Sequence, residues 1–257
     1  MTTTSGMQGQ RVVADVLGTP VDAVTLDEAV ARIAAWAQAG NSRCVHACNV
    51  HSVATAASNE ALRLALAEAD LNVPDGAPVA WLMRRRGLRG QRRVSGPDLM
   101  LAYFEHAASR GESVYLYGST DATLAALAQR LRSRWPGLRI AGMHAPPFRS
   151  TTEAEDEDDV QRIHASGART VWVGLGCPKQ ELWTAARRDR VRAVMVGVGA
   201  AFDFHAGTVP RAPRWMRNGG LEWLHRLLQE PGRLTPRYLV TNTWFLAKVF
   251  GQLLRRR

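Results

Sequence analysis

The chain has 257 residues, 46% of them hydrophobic, enough to bury a full core without disulfides or a structural metal. Three cysteines cannot all pair, which argues for a reducing compartment and against a disulfide-stapled secreted domain. No stretch reaches the roughly 18 uninterrupted apolar residues of a spanning helix, and even residues 238–254 contain Asn242, Lys248 and Gln252, so a soluble or peripheral protein is expected.

Residues 1–10 are small and polar, with no basic segment leading into an apolar run. They predict a disordered N-terminus rather than a secretory signal. Apolar, β-branched runs follow at 11–17, 43–48, 113–117, 138–141, 170–175 and 193–198, and each reads as a buried strand. Alanine- and leucine-rich stretches with helical spacing lie between them, at 26–39, 53–68, 98–109, 122–135 and 180–190. Strands alternating with helices predict an α/β fold, a mostly parallel sheet with helices on both faces, over residues 11–210. After residue 211 the texture changes to tryptophan, arginine and proline, which predicts a helical appendage over 211–257 with helices at 215–229 and 235–254.

Charge follows the same boundary. Residues 211–257 hold ten basic side chains against Glu222 and Glu230, whereas the other 210 residues hold 23 basic and 21 acidic groups. A nearly neutral body with a basic tail points to an anionic partner at one end.

Cys44, His46 and Cys48 alternate on one predicted strand with His51 a turn further on, a pattern open to zinc but more simply a set of buried side chains. Asp75-Gly76 after residues 71–74 is either a turn whose aspartate caps the next helix or a carboxylate at a strand end, suited to taking a proton from a hydroxyl. Arg84, Arg85, Arg86, Arg89, Arg92 and Arg93 crowd the next segment, mostly as a solvated face. Arg93, beside Val94-Ser95-Gly96, is placed to reach a phosphate cleft at that strand end, where an arginine could stabilise a departing diphosphate.

Two strands end in glycine before a helix: Gly118-Ser119-Thr120, and Gly174-Leu175-Gly176-Cys177-Pro178. Such turns aim backbone N–H groups at phosphate, or are simply tight turns with a hydroxyl cap. A dinucleotide fingerprint is weak, because its third glycine is replaced by Lys179 after Gly174-Leu175-Gly176 and by Phe202 after Gly197-Val198-Gly199. Asp156-Glu157-Asp158 has a metal-binding spacing but sits in an acidic run at 153–159, which reads as a solvated loop or first helical turn.

Together these segments resemble the WecG/TagA/CpsF family of bacterial glycosyltransferases. The resemblance rests on Asn49, Asp75-Gly76, Arg93-Val94-Ser95-Gly96-Pro97-Asp98-Leu99, Pro146-Pro147-Phe148, Gly174-Leu175-Gly176-Cys177-Pro178-Lys179-Gln180-Glu181, residues 197–204, Arg211-Ala212-Pro213 and Gly220-Leu221-Glu222-Trp223-Leu224, in order from about residue 12 to 245. It implies a Rossmann-like core and an inverting, metal-independent transfer of an N-acetylmannosamine-type sugar. The implied donor is a UDP-sugar, with no further cofactor, and the implied acceptor is a polyprenyl-pyrophosphate-linked sugar used for cell-surface polysaccharide or teichoic acid linkage.

Carried over by position, Asp75 is the general base, Asn49 and Gln180 line the pocket, and Arg93 belongs to the catalytic site. Gly118, Ser119, Gly174, Gly176, Lys179 and Glu181 complete the expected substrate-binding set. Arg226, Arg233 and Arg237 match the appendage thought to close over the site and touch the lipid pyrophosphate. Two positions depart from the family pattern: Ala47 stands where a threonine is common, and Pro236-Arg237 where paired arginines are common.

Trp215, Trp223 and Trp244 among the tail arginines suit the inner leaflet of the cytoplasmic membrane, giving a cytoplasmic, peripheral enzyme; without a membrane, the apolar tail could cover a partner subunit in a homo-oligomer. A nucleic-acid-binding module would explain the basic tail but not the Asp75 segment or the Gly174-to-Glu181 run, so no nucleic-acid partner is expected. A nicotinamide-dependent oxidoreductase is the second rival.

Overall fold

A computed structural model describes residues 11–254, apart from the side chains of Arg233 and of residues 253–254. The predicted disordered segment 1–10 and the terminal residues 255–257 lie outside the described residues.

The strands are β1 (Val13–Val16), β2 (Thr19–Asp22), β3 (Arg43–Cys48), β4 (Leu71–Pro74), β5 (Ser113–Gly118), β6 (Arg139–His144), β7 (Thr170–Gly174) and β8 (Val194–Gly197). Six of them form one sheet in the order β4-β3-β8-β7-β5-β6, and every pairing in it is parallel. The inner strands are buried on both faces, which is why they read as unbroken apolar runs rather than alternating ones. β4 and β6 are the two edges: β6 alternates in exposure, while β4 is buried and packs against β2.

β1 and β2 form a separate antiparallel hairpin, of which only the first strand is legible in the sequence. The reversal is made by Leu17 (φ 54°) and Gly18 (φ 90°). Two positive φ values are what a two-residue hairpin loop needs, but leucine rarely supplies one, and Pro20 in the second strand reads as a breaker.

The helices are α1 (Leu26–Gln38), α2 (Val50–Ala56), α3 (Glu60–Glu68), α4 (Ala77–Arg85), α5 (Gly96–Arg110), α6 (Asp121–Arg134), α7 (Glu153–Ser166), α8 (Lys179–Ala186), α9 (Ala201–Ala206), α10 (Arg214–Asn218), α11 (Glu222–Gln229) and α12 (Pro231–Leu254). Ile33 of α1, Leu99 and Tyr103 of α5 and Leu127 of α6 pack with Trp172 on one face of the sheet. Val160 and Ile163 of α7 and Trp183 of α8 pack on the other with Tyr117 and Val173. The result is the α/β fold with helices on both faces that the strand and helix alternation predicts.

Two predicted helices are each divided. The 53–68 helix starts earlier, at Val50, and breaks after Ala56, because Asn59 caps α3 by accepting from Leu62 N–H at 3.0 Å. The 215–229 helix breaks at Gly219-Gly220, where Gly220 takes φ 74° and a Cβ would stand 2.7 Å from Ala77. Helix α4 escapes prediction because its arginines and Pro78 mask it, although proline in the first turn is compatible with a helix.

The acidic run opens α7 rather than a loop. Thr152 and Glu155 form its capping box, and Asp156 and Glu157 pair with Arg190 at 2.7 and 3.0 Å. Asp156 also contacts Arg187, so the turn after α8 pairs with these two carboxylates of the run.

Helix α12 buries Leu234, Thr241, Phe245 and Val249, a stripe at helical spacing, and lies along α2. Phe245 and Val249 share a core with Val16 of the hairpin, Val53 of α2 and Val79 of α4. Its other side exposes Leu239, Val240, Leu246 and Phe250.

Candidate active site

A cleft of about 670 Å³ lies above the carboxyl ends of the parallel strands. This is where open α/β sheets bind ligands, because successive loops leave there in different directions. The floor is made by residues just past strand ends: Asn49 after β3, Asp75 after β4, Ser119 after β5, and Gly199 after β8. Trp223 and Arg226 of α11 and Arg237 and Tyr238 of α12 close the upper side. A smaller hollow of about 290 Å³ adjoins it between Asp203, Phe204 and Arg226.

Asp75 is half-buried and does not cap a helix. The N-cap of α4 is Gly76, with φ 89° and no side-chain cap bond, so the helix-cap alternative for the aspartate falls away. The carboxyl is instead free to face the cleft, where Asn49 hydrogen-bonds to it. Burial pushes its pKa up to about 6, opposed by Arg93 and Asn49 and reinforced by the charges of Glu222 and Asp98.

Arg93 stands beside Asp75 at the mouth of α5. Its guanidinium donates to Glu222 of α11 at 2.7 Å and lies 3.7 Å from Asp98 of α5. Asp98 in turn accepts from Ser95 Oγ at 2.5 Å and pairs with Arg211 at 2.7 Å and Arg217 at 3.6 Å. Arg211 also reaches Glu222 at 3.2 Å. Thus two arginines counted in the basic tail turn inward and pair with carboxylates there rather than being presented to an outside partner.

The glycine turns are close-packed. A Cβ on Gly118 would meet the Gly174 carbonyl carbon at 2.7 Å, and Gly118 holds φ 118°, so the two strand ends touch because Gly118 lacks a side chain, while a Cβ on Gly174 would meet the Phe202 ring at 2.8 Å. Gly118 is buried below the cleft, while Ser119, Gly174 and Gly176 line it. Thr120, next to Ser119, caps α6 by accepting from Thr123 N–H at 3.1 Å, so the tight-turn and cleft-facing descriptions both hold for this segment.

Gln180 lines the cleft while almost wholly buried: its Oε1 accepts from Gly199 N–H at 2.9 Å and its Nε2 donates to Glu181 at 3.0 Å. Glu181 is fully buried beneath it, outside the cleft, with burial raising its pKa. Lys179 is exposed and does not border the cleft either. These last two therefore depart from the set expected to touch substrate, because the first turn of α8 presents only one of three consecutive side chains to the opening.

In the tail, Arg226 borders both hollows with its guanidinium 5.5 Å from the Phe204 ring, and Arg237 borders the main one near His51, Cys177 and Glu181. The Arg233 side chain lies outside the described residues. Ala47 lines the floor, offering no hydrogen-bonding side chain. Trp215 and Trp223 are exposed, but Trp244 is partly buried against the hairpin core, so it is not available as a free anchor.

The metal pattern on β3 does not assemble. Cys44 donates to the Thr184 carbonyl, Cys48 is fully buried, and neither His46 ring nitrogen has a partner among the described residues. Among those residues no three His, Cys, Asp or Glu side chains are grouped to hold an ion. Ser95, Asp98, Arg211 and Glu222 are the neighbours of the site that residue-by-residue reasoning left without a role. The available signal was an isolated glutamate in a basic tail, which needs a buried cation to face.

Among the described residues no helix is long and apolar enough to cross a membrane. Residues 14–257 match the model of the glycosyl transferase WecG/TagA/CpsF family, a span that takes in the whole parallel sheet, the cleft and the tail. With nearly the full chain matched, the protein belongs to the WecG/TagA/CpsF family of glycosyltransferases.

Proposed function

We propose that the protein is an inverting glycosyltransferase that moves an N-acetylmannosamine-type sugar from a UDP donor to a polyprenyl-pyrophosphate-linked sugar during cell-surface polymer synthesis. The observation that carries this reading is the carboxyl of Asp75, held on the cleft floor with its pKa near 6 and a guanidinium beside it. Such a group is ionised at neutral pH yet still basic enough to accept a proton as a bond forms.

In that reaction the acceptor hydroxyl oxygen attacks the anomeric carbon from the face opposite UDP. The bond from that carbon to the diphosphate oxygen breaks, its electron pair leaves with UDP, and the hydroxyl proton passes to Asp75. Arg93, Arg226 and Arg237 border the same cleft and supply positive charge for the departing diphosphate, a role that asks no metal of the protein. Asn49 and Gln180 fix the floor beneath the reacting groups.

A lipid-linked acceptor is supported by the outer surface of the closing segment. Trp215, Trp223, Leu239, Val240, Leu246 and Phe250 are all exposed there, on a segment that also carries arginines, a combination suited to a membrane interface. The inner leaflet of the cytoplasmic membrane is then the working location.

The test is transfer of radiolabelled sugar from UDP-N-acetylmannosamine to a polyprenyl-pyrophosphate-N-acetylglucosamine analogue with chelator present, comparing wild type with Asp75→Asn. Transfer by the wild type and its collapse in the folded variant are expected. Equal transfer by both would remove Asp75 as base, and transfer that requires added metal would remove the metal-independent mechanism.

A further inference from the structure

The Arg93 guanidinium, which shares the cleft with the base and acts on its charge, is held by a carboxylate of the tail. We propose that Glu222 is a positioning residue: by holding Arg93 at 2.7 Å it keeps that guanidinium from closing onto Asp75, and it couples docking of the C-terminal segment to the readiness of the base. This rests on Asp75 being the base.

The geometry behind it is a five-membered ionic cluster, each member from a different loop or helix. Arg93 comes from the loop before α5, Asp98 from the first turn of α5, Arg211 from the loop before α10, Arg217 from α10, and Glu222 from the first turn of α11. Both oxygens of Glu222 are engaged, one by Arg93 and one by Arg211, so its carboxylate bridges two guanidinium groups. All of its partners are more than ten residues away in sequence, so no local helix geometry accounts for the arrangement.

Arg93 lies among three carboxylates: Glu222 at 2.7 Å, Asp98 at 3.7 Å, and Asp75, whose proton affinity its charge lowers. Bound by Glu222, Arg93 leaves Asp75 as a carboxylate of raised proton affinity. Released, it would pair with Asp75, and an ion-paired carboxylate is a poor base. The groups facing Asp75 are Asn49 and Cys48 from the end of β3, Arg93 from its loop, Asp98 from α5 and Glu222 from α11. Of these, Glu222 alone belongs to the segment that closes the cleft, so withdrawal of that segment removes a charge that raises the Asp75 pKa and leaves the cation that lowers it with only its longer contact to Asp98. Both effects have the same sign. An undocked tail therefore means a quenched base, and a docked tail an active one.

The experiment uses the full chain with aspartate carboxyl carbons labelled with carbon-13. The Asp75 resonance is identified as the one missing in Asp75→Asn, and its titration is followed in wild type and in Glu222→Gln, with melting curves as a check on folding. The titration midpoint is expected to fall in Glu222→Gln by about half a pH unit or more. Transfer of UDP-N-acetylmannosamine at saturating substrate is expected to fall about tenfold or more, with its acidic limb displaced the same way. Arg93→Ala in the Glu222→Gln background is expected to return the midpoint upward, since the quenching cation is gone.

A midpoint unchanged or raised in folded Glu222→Gln overturns the proposal, as does a uniform loss of activity at every pH with no displacement of the limb. If Asp75→Asn retains full transfer while the carbon-13 midpoint still falls, the reading of Asp75 as base fails and the Glu222 linkage to its charge stands.

Discussion

The amide of Asn49 serves two neighbours at once: its Oδ1 accepts from His51 N–H at 3.0 Å and Ser52 N–H at 3.2 Å, which caps α2, and its side chain hydrogen-bonds to the carboxyl of Asp75. With Oδ1 committed to the helix end, the amide N–H₂ is the part left for the carboxylate. One residue therefore joins the start of a helix to the group proposed as the base.

This dual role is separable by substitution. Asn49→Ala loses the cap and the bond to Asp75, and a lowered melting temperature corresponding to about 1 kcal/mol is expected. Asn49→Ser keeps a capping oxygen and is expected to melt close to wild type. In both variants the acidic limb of the pH–rate profile should move upward, because the hydrogen bond that favours the ionised carboxyl is gone. Melting curves and pH–rate profiles of the two side by side make the check. A limb that follows the melting temperature rather than the Asp75 bond would contradict the assignment.

Asp75 itself should oppose folding at neutral pH. Its folded-state pKa of about 6 lies above its ordinary value of 3.8, so the folded protein binds more protons between those two values and stability declines as pH rises from about 4 to 6. Asp75→Asn removes that burden. The variant is expected to be more stable than wild type at pH 7.5, by at most about 3 kcal/mol, and the advantage should vanish near pH 4. Thermal melts across that range would read it, and an advantage independent of pH would mean that the carboxyl is not held as described.

Much of this architecture is legible in the chain because its causes are local. The runs that became β3, β5, β7 and β8 are apolar on both faces, and only a covered parallel sheet asks for that. Asn49, Asp75, Ser119 and Gln180 could be marked because they stand at strand ends or in a motif. The pairing of Arg93 with Glu222 could not be marked, since it spans 129 residues and no spacing rule connects the two. The motif groups Lys179 and Glu181 with Gln180, yet a helix turns successive side chains in different directions, and only one of the three meets the cleft.

The contact between β5 and β7 ends predicts a sharp asymmetry among glycines. Gly118→Ala forces a Cβ within 2.7 Å of backbone at φ 118°, and a loss of about 2–3 kcal/mol is expected, with activity falling as the floor opens. Gly90→Ala meets nothing within 4 Å and is expected to lie within about 0.5 kcal/mol of wild type. Denaturant titration of the two gives the comparison, and equal stability would mean that the strand ends can part without consequence.

Arg237 offers a way to test the roof without turnover. It borders the cleft from α12, and its charge, after burial itself, holds the pKa of His51 down to about 4. Removing it in Arg237→Ala takes away a nearby positive charge, so the His51 titration should move upward, a shift that proton NMR of the imidazole resolves. If the same guanidinium meets an anionic acceptor, transfer at subsaturating acceptor should fall about tenfold while the rate at saturating acceptor changes less, which is the pattern of a lost binding contact. An unmoved His51 would mean that α12 does not sit over α2 in solution, whereas a moved His51 with unchanged acceptor dependence would keep the docked helix and remove Arg237 from acceptor binding.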